Sequence, residues 1–253
     1  TAAGTLSVSF DAPTDISYID YFKVSLLDSE FNVLSSLDTG NDGEVTAGFE
    51  AAGSYWIKVQ TSTSSYYDSG VYGITASLDT AIGRSETEGN NTIATADQLT
   101  AGTQLKGQLS SKSDVDYYKY TTSGAALLNL AFGLPTDISY IDYFSIQVLD
   151  SSGNTLSGVV VGQDGSLKAS VSEAGTYFVK VAVANSSYHD SGQYGLTLTE
   201  SAYTSNYESE PNGYGAYGDL VTNNQKMSGQ LKSKDDVDFY YIDATAAGTL
   251  SVS

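Results

Sequence analysis

The chain contains no cysteine, three prolines, one methionine, one tryptophan and one histidine in 253 residues. Without cysteine there is no disulfide framework, so stability falls to core packing or to a bound metal, and the redox compartment stays open. Positive charge is also scarce: 11 Lys and Arg face 30 Asp and Glu, a net charge of −19. Such a surface repels nucleic acid and anionic lipid and suits cations and salty surroundings. No apolar run approaches the roughly 20 residues of a membrane-spanning helix, so no membrane insertion is expected. No window of helical length carries a 3.6-residue period, which leaves strands. Thr1 is not an initiator methionine and no signal peptide is visible, so a processed product or an excised fragment is expected.

What the chain does contain is repetition. Pro13–Phe22 (PTDISYIDYF) returns unchanged as Pro135–Phe144, a spacing of 122 residues. Ser64–Gly73 (SSYYDSGVYG) returns as Ser186–Gly195 (SSYHDSGQYG), and Thr1–Ser9 (TAAGTLSVS) returns two periods on as Thr245–Ser253. A period this long is a whole domain repeated, not a solenoid unit. The expected division is the back part of one unit over 1–77, a linker over 78–84 and a complete unit over 85–199. A second linker over 200–206 and the front of a further unit over 207–253 complete it.

Within each unit apolar residues alternate with polar ones, as in Leu6, Val8 and Phe10 or Leu128 and Leu130. Asp150-Ser151-Ser152-Gly153-Asn154 reads as a hairpin turn, as does its copy Asp28–Asn32. The predicted fold is therefore all-β: tandem antiparallel β-sandwich domains of 122-residue period, about eight strands each, with jelly-roll or Greek-key connections. Because residues 1–77 lack the front strands of a unit, Leu6, Val8 and Phe10 are expected to be exposed. Residues 207–253 supply those strands, which predicts head-to-tail contact between neighbouring copies.

Two acidic clusters recur with the repeat. Glu86, Glu88, Asn90 and Asn91 lie on the linker side, and Ser113, Asp114 and Asp116 at the start of a later strand. Their counterparts are Glu208, Glu210 and Asn212, then Asp235, Asp236 and Asp238. Hard oxygen ligands at this density suit Ca²⁺ more than Mg²⁺, which prefers few protein ligands and retained water. Asp114 and Asp116 are the one tempting acid–base pair, but polar, acidic neighbours give no means of separating their pKa values. His189 beside Asp190 invites a triad reading, yet the other copy has Tyr67 in its place, so a loop histidine is expected.

The complete unit resembles the bacterial pre-peptidase C-terminal domain family, related to the collagen-binding domains of secreted bacterial collagenases. The resemblance rests on Glu86-Thr87-Glu88-Gly89-Asn90-Asn91, Gly107, Asp114-Val115-Asp116-Tyr117-Tyr118 and the Asp150–Asn154 turn. It rests further on Ala174–Val181 and Gly192-Gln193-Tyr194-Gly195-Leu196-Thr197. It implies a calcium-binding jelly-roll sandwich, carried on secreted proteins as an accessory module and not a catalyst. The second acidic cluster departs from the first, with Pro211 for Gly89 and Gly213 for Asn91.

Tyrosine-rich loops lie outside that pattern: Tyr18, Tyr21, Tyr66 and Tyr67 in one copy, Tyr140, Tyr143 and Tyr188 in the next. Rings beside carboxylates suit a glycan or a matrix protein, or simple packing at the sandwich ends. The expected function is a non-catalytic, calcium-stiffened repeat of a secreted or surface bacterial protein, such as an adhesin stalk or an extracellular filament. The alternative is a carbohydrate- or collagen-binding accessory module of a secreted hydrolase.

Overall fold

Leu128, Leu130 and Phe132 alternate with Asn129 and Ala131, and a strand turns such a series to one side. In the computed structural model, which describes residues 4–13, 21–49, 51–62, 70–80, 85–135, 143–184 and 189–252, all three are buried. Regular structure among these residues is almost wholly strand, with two single 3₁₀ turns at Ile93–Thr95 and Gly215–Tyr217. In chain order the strands are β1 (Gly4–Asp11), β2 (Phe22–Leu27), β3 (Val33–Thr39), β4 (Gly43–Phe49), β5 (Trp56–Thr61) and β6 (Gly73–Asp79). Next come β7 (Asp97–Gln98), β8 (Gln104–Gly107), β9 (Val115–Thr122), β10 (Ala126–Gly133) and β11 (Phe144–Leu149). The remainder are β12 (Thr155–Val161), β13 (Gly165–Val171), β14 (Gly175–Val183), β15 (Tyr194–Ala202), β16 (Asp219–Leu220) and β17 (Tyr240–Tyr241).

The central body is a two-layer sandwich. One sheet runs β13-β10-β15-β8 and the other β12-β11-β14-β9-β7, with antiparallel pairing except for the short parallel β7–β9 contact. Leu130 and Phe132 of β10 and Leu196 of β15 pack against Ile146, Val148 and Val179 of the facing sheet. Each such side chain contributes roughly 1.5–3 kcal/mol on burial. Residues 4–79 hold a smaller pair of sheets, β4-β1-β6 and β3-β2-β5, whose core joins Val8, Phe10, Val24, Leu26 and Val45. Strands β10 to β13 sit at the repeat positions of β1 to β4. The register irregularity at Leu26/Leu27 likewise has its counterpart at Val148/Leu149.

One expectation fails. Leu6, Val8 and Phe10 are 7%, 0% and 1% exposed, not open to solvent. The reason lies in sheet order: β1 is the middle strand between β4 and β6, covered by β2 and its neighbours. The strands that β8 and β9 supply in the central body would flank β6 and β5, so exposure falls there instead, on Ile74, Leu78 and Trp56. Residues 248–252 repeat residues 4–8 of β1 but form no strand, and Leu250 and Val252 stand 66% and 93% exposed. The same residues fold differently because strand formation depends on the neighbours they pair with and the surface they cover.

Candidate metal centre

The segment leading into the central sandwich is pinned along its first residues. Ser85 forms a parallel bridge to Lys106, and the Glu86 amide donates to the Lys106 carbonyl at 2.9 Å. This buries the Glu86 carboxylate. Its Oε1 accepts the Gln108 amide at 2.5 Å, and its Oε2 accepts the Tyr118 hydroxyl and the Asn90 Nδ2 at 3.4 Å. Tyr118 lies 2.7 Å from the Tyr194 hydroxyl, which in turn donates to Asp116 Oδ2. Glu86 and Asp116 are thus joined through two buried phenols. Gly107 faces both rings, and a Cβ there would collide with Tyr118 and Tyr194.

Around this chain the predicted cluster assembles. Glu88, Asp114 and Asp116 place carboxylate oxygens within 4.8 Å of one another. The Tyr117 amide donates to the Asn90 carbonyl at 3.0 Å, which brings the entry segment of the unit onto the start of β9. Asp114 is tied by Ser110, whose amide and hydroxyl donate at 2.6 and 2.7 Å, and by the Val115 amide at 2.9 Å. Three inward oxygens accept nothing: Glu88 Oε1, Asn90 Oδ1 and Asp116 Oδ1. Asn90 and Asp116 are 1% and 0% exposed, and a buried acceptor without a partner costs about 1–3 kcal/mol. Converging unpartnered oxygens from two carboxylates and an amide are the donor set that a hard cation takes.

Electrostatics point the same way. Burial, opposed in part by the Tyr118 and Gln108 hydrogen bonds, pushes Glu86 up to about 8. Burial and the nearby Glu86 and Asp114 carboxylates push Glu88 up to about 9. Asp116 is raised as well, by burial first and then by Glu86 and Asp114. Among the described residues, no lysine or arginine forms an ion pair with Glu86, Glu88 or Asp116. A divalent cation would reverse the balance by favouring the ionised forms.

The second cluster is built alike but carries its own cation. Glu208 accepts from the Gln230 amide, from Tyr240 at 2.6 Å and from Asn212 Nδ2 at 3.4 Å. The Phe239 amide donates to the Asn212 carbonyl at 3.1 Å, and Asn212 Oδ1 and Asp238 Oδ1 are unpartnered. Glu210, Asp236 and Asp238 again converge. Here, however, Lys232 stands at the position of Ser110, and its Nζ donates to Glu210 Oε1 and, at 2.6 Å, to Asp236 Oδ1. Burial and Glu208 push Asp238 up to about 6.

Not every expected residue joins these clusters. Asn91 is exposed, and its amide, in the orientation that satisfies it, donates to Val115 O and Asp114 Oδ1, each at 3.1 Å. Ser113 pairs with Ser111 at 3.2 Å on the surface, and the exposed Asp235 donates its amide to Ser233. Two carboxylates escaped the sequence reading. Asp97 accepts the Thr87 amide at 2.6 Å, and Asp219 accepts from Ser209 and Asn212. Their recurrence one period apart was the available signal.

Tyr18, Tyr66, Tyr67, Tyr140 and Tyr188 lie outside the described residues, while Tyr21 and Tyr143 pack against the two cores. His189 Nε2 lies 2.8 Å from the Leu109 carbonyl. Among the described residues no helix is long and apolar enough to cross a membrane.

No protein-family model matches the chain, and no curated protein matches it. Solved structures that it resembles include the pre-peptidase C-terminal domain of collagenase from Bacillus anthracis, at 17% identity and a TM-score of 0.34. That match covers 41% of this chain and 94% of that one. Tandem CBM51 modules of a family 98 glycoside hydrolase from Streptococcus pneumoniae match at 10% identity and a TM-score of 0.30, covering 79% and 78%. The secreted serine protease VesC from Vibrio cholerae matches at 9% and 0.32, covering 80% of this chain and 48% of that one.

Proposed function

We propose that this chain is a run of non-catalytic repeats from a secreted or surface-displayed bacterial protein, stiffened by Ca²⁺ at each acidic cluster. The observation that carries the reading is the set of buried, unpartnered oxygens of Glu88, Asn90 and Asp116, beside a convergent carboxylate triad that makes no ion pair with a basic side chain among the described residues. Asp114 completes the set. Glu86 has both oxygens engaged by Gln108, Tyr118 and Asn90, so it serves as the anchor that holds the linker on the sandwich. Bound Ca²⁺ would offset two of the negative charges on Glu88, Asp114 and Asp116 and fix the entry segment, residues 85–91, against β9. Extracellular modules of this kind bind with dissociation constants on the order of 10⁻⁴ to 10⁻³ M.

The mechanical consequence is a stalk. Successive repeats joined in one polypeptide keep a fixed relation when each linker is clamped. The exposed Ile74 and Leu78 of β6, with Leu231, Phe239 and Leu250 of the last segment, support contact between such segments of neighbouring copies. Tyr21 and Tyr143 packing on the cores favours the structural role over a glycan-binding one. Because a ligand that binds only the folded state stabilises it by mass action, adding millimolar Ca²⁺ to chelator-treated protein should raise the melting temperature. Identical melting in Ca²⁺ and in chelator would overturn the proposal.

A further inference from the structure

Glu86 and Glu208 each hold a glutamine by its backbone, and in both cases the glutamine side chain reaches into the preceding repeat, although Gln108 Nε2 also donates to the Ser191 carbonyl of its own repeat. Gln108 is buried; its Nε2 donates to the Ser36 carbonyl of β3 at 2.8 Å, and its Oε1 accepts the Ser35 hydroxyl. One period on, Gln230 Nε2 donates to the Gly158 carbonyl of β12 at 3.0 Å, and its Oε1 accepts the Ser157 hydroxyl at 2.8 Å. Both seats lie on the outermost strand of a sheet, where main-chain groups stand open.

The sequence follows the chemistry of the seat. Where the hydroxyl is used, serine recurs as Ser35 and Ser157. Where only the carbonyl is used, Ser36 gives way to Gly158. Other contacts also cross the first junction: the Gly48 amide donates to the Glu86 carbonyl at 2.7 Å, the Asp38 amide to Ser191 Oγ at 3.2 Å, Gln193 to Thr46, and Lys106 pairs with Glu44, a pair that the counterparts Ser228 and Ser166 do not restore.

We propose that Gln108 and Gln230 are latches that dock each repeat onto the edge strand of the one before it, with the acidic cluster behind the latch setting its rigidity through Glu86 or Glu208. The partner of this surface is the preceding copy of the repeat, and the part played by the cluster rests on the Ca²⁺ reading above. A bidentate amide fixes both distance and direction, as a single ion pair between flexible side chains does not. The backbone bond to Glu86 ties the latch to the cluster: loading the cluster immobilises Glu86, and Glu86 immobilises Gln108.

The chain has no cysteine, so spin labels can be placed uniquely at Ser77→Cys and Ser123→Cys, two exposed positions in successive repeats. Electron–electron resonance on the full chain in Ca²⁺ should give one narrow distance peak. Gln108→Ala should lose that peak while keeping Ca²⁺ binding by calorimetry, because its backbone amide remains. Ser35→Ala, which alters the seat alone, should broaden the peak in the same direction. A narrow peak retained in Gln108→Ala overturns the latch. A broad peak in that variant, with no Ca²⁺ bound or sensed by the parent, would keep the latch and remove the metal reading.

Discussion

Raising the pH of metal-free protein should destabilise it. Glu88 titrates near 4.5 in an unfolded chain and at about 9 in the fold, and Glu86 at about 8, because burial and mutual repulsion disfavour their ionised forms. An acid whose pKa is raised by folding contributes stability that is fully present below its unfolded pKa and lost as pH climbs to the folded one. A tenfold change in proton affinity between the two states corresponds to about 1.4 kcal/mol, so Glu88 alone removes on the order of 5 kcal/mol between about pH 5 and pH 9. That is a large part of the roughly 5–15 kcal/mol that holds a typical domain. Glu86 and Glu88 repel one another, so their contributions do not simply add. Saturating Ca²⁺ favours the ionised carboxylates and should flatten the profile. Glu88→Gln should make it shallower without metal, leaving the slope that Glu86 and Asp116 contribute. The assay is urea denaturation at stepped pH, in chelator and in Ca²⁺. A metal-free profile level from pH 5 to 9, or one that falls equally in Ca²⁺, would refute the reasoning.

Other outcomes follow from the two clusters. Lys232 already pairs with Glu210 and Asp236, so Lys232→Ser should strengthen Ca²⁺ binding at the second cluster, and Ser110→Lys should weaken it at the first; paired calorimetric titrations would show both. Gly107→Ala drives a methyl group into the Tyr118 and Tyr194 rings and should lower stability by about 1–3 kcal/mol in chemical denaturation, a typical overpacking cost.

The all-β architecture was legible because its signal is local. The alternation in β10 and the Asp150–Asn154 turn, where Asp150 Oδ1 accepts the Ser152 and Asn154 amides, both lie within ten residues of sequence. The acidic clusters were legible because the repeat printed them twice. Their inner partners were not. Tyr194 reaches Asp116 across 78 residues and Gln108 reaches Ser36 across 72, distances over which no periodic pattern carries information. The burial of Leu6, Val8 and Phe10 is hidden from the sequence for a related reason. Counting absent strands says how many edges are open, but only sheet order says that β5 and β6 are the strands left bare. The duplicated segment makes the point most directly: residues 4–8 are strand and largely core in β1, while the same residues at 248–252 are exposed, irregular chain.

The central claim is that the first cluster is a cation site built from Glu88, Asn90, Asp114 and Asp116. Isothermal titration of the chelator-stripped 253-residue chain with Ca²⁺ tests it most directly, run beside the Asp116→Asn variant. The account predicts a saturable site with a dissociation constant on the order of 10⁻⁴ M or somewhat weaker, abolished in Asp116→Asn, with the Lys232-containing cluster binding more weakly still. No saturable heat in the parent chain, or equal binding in parent and variant, would contradict it.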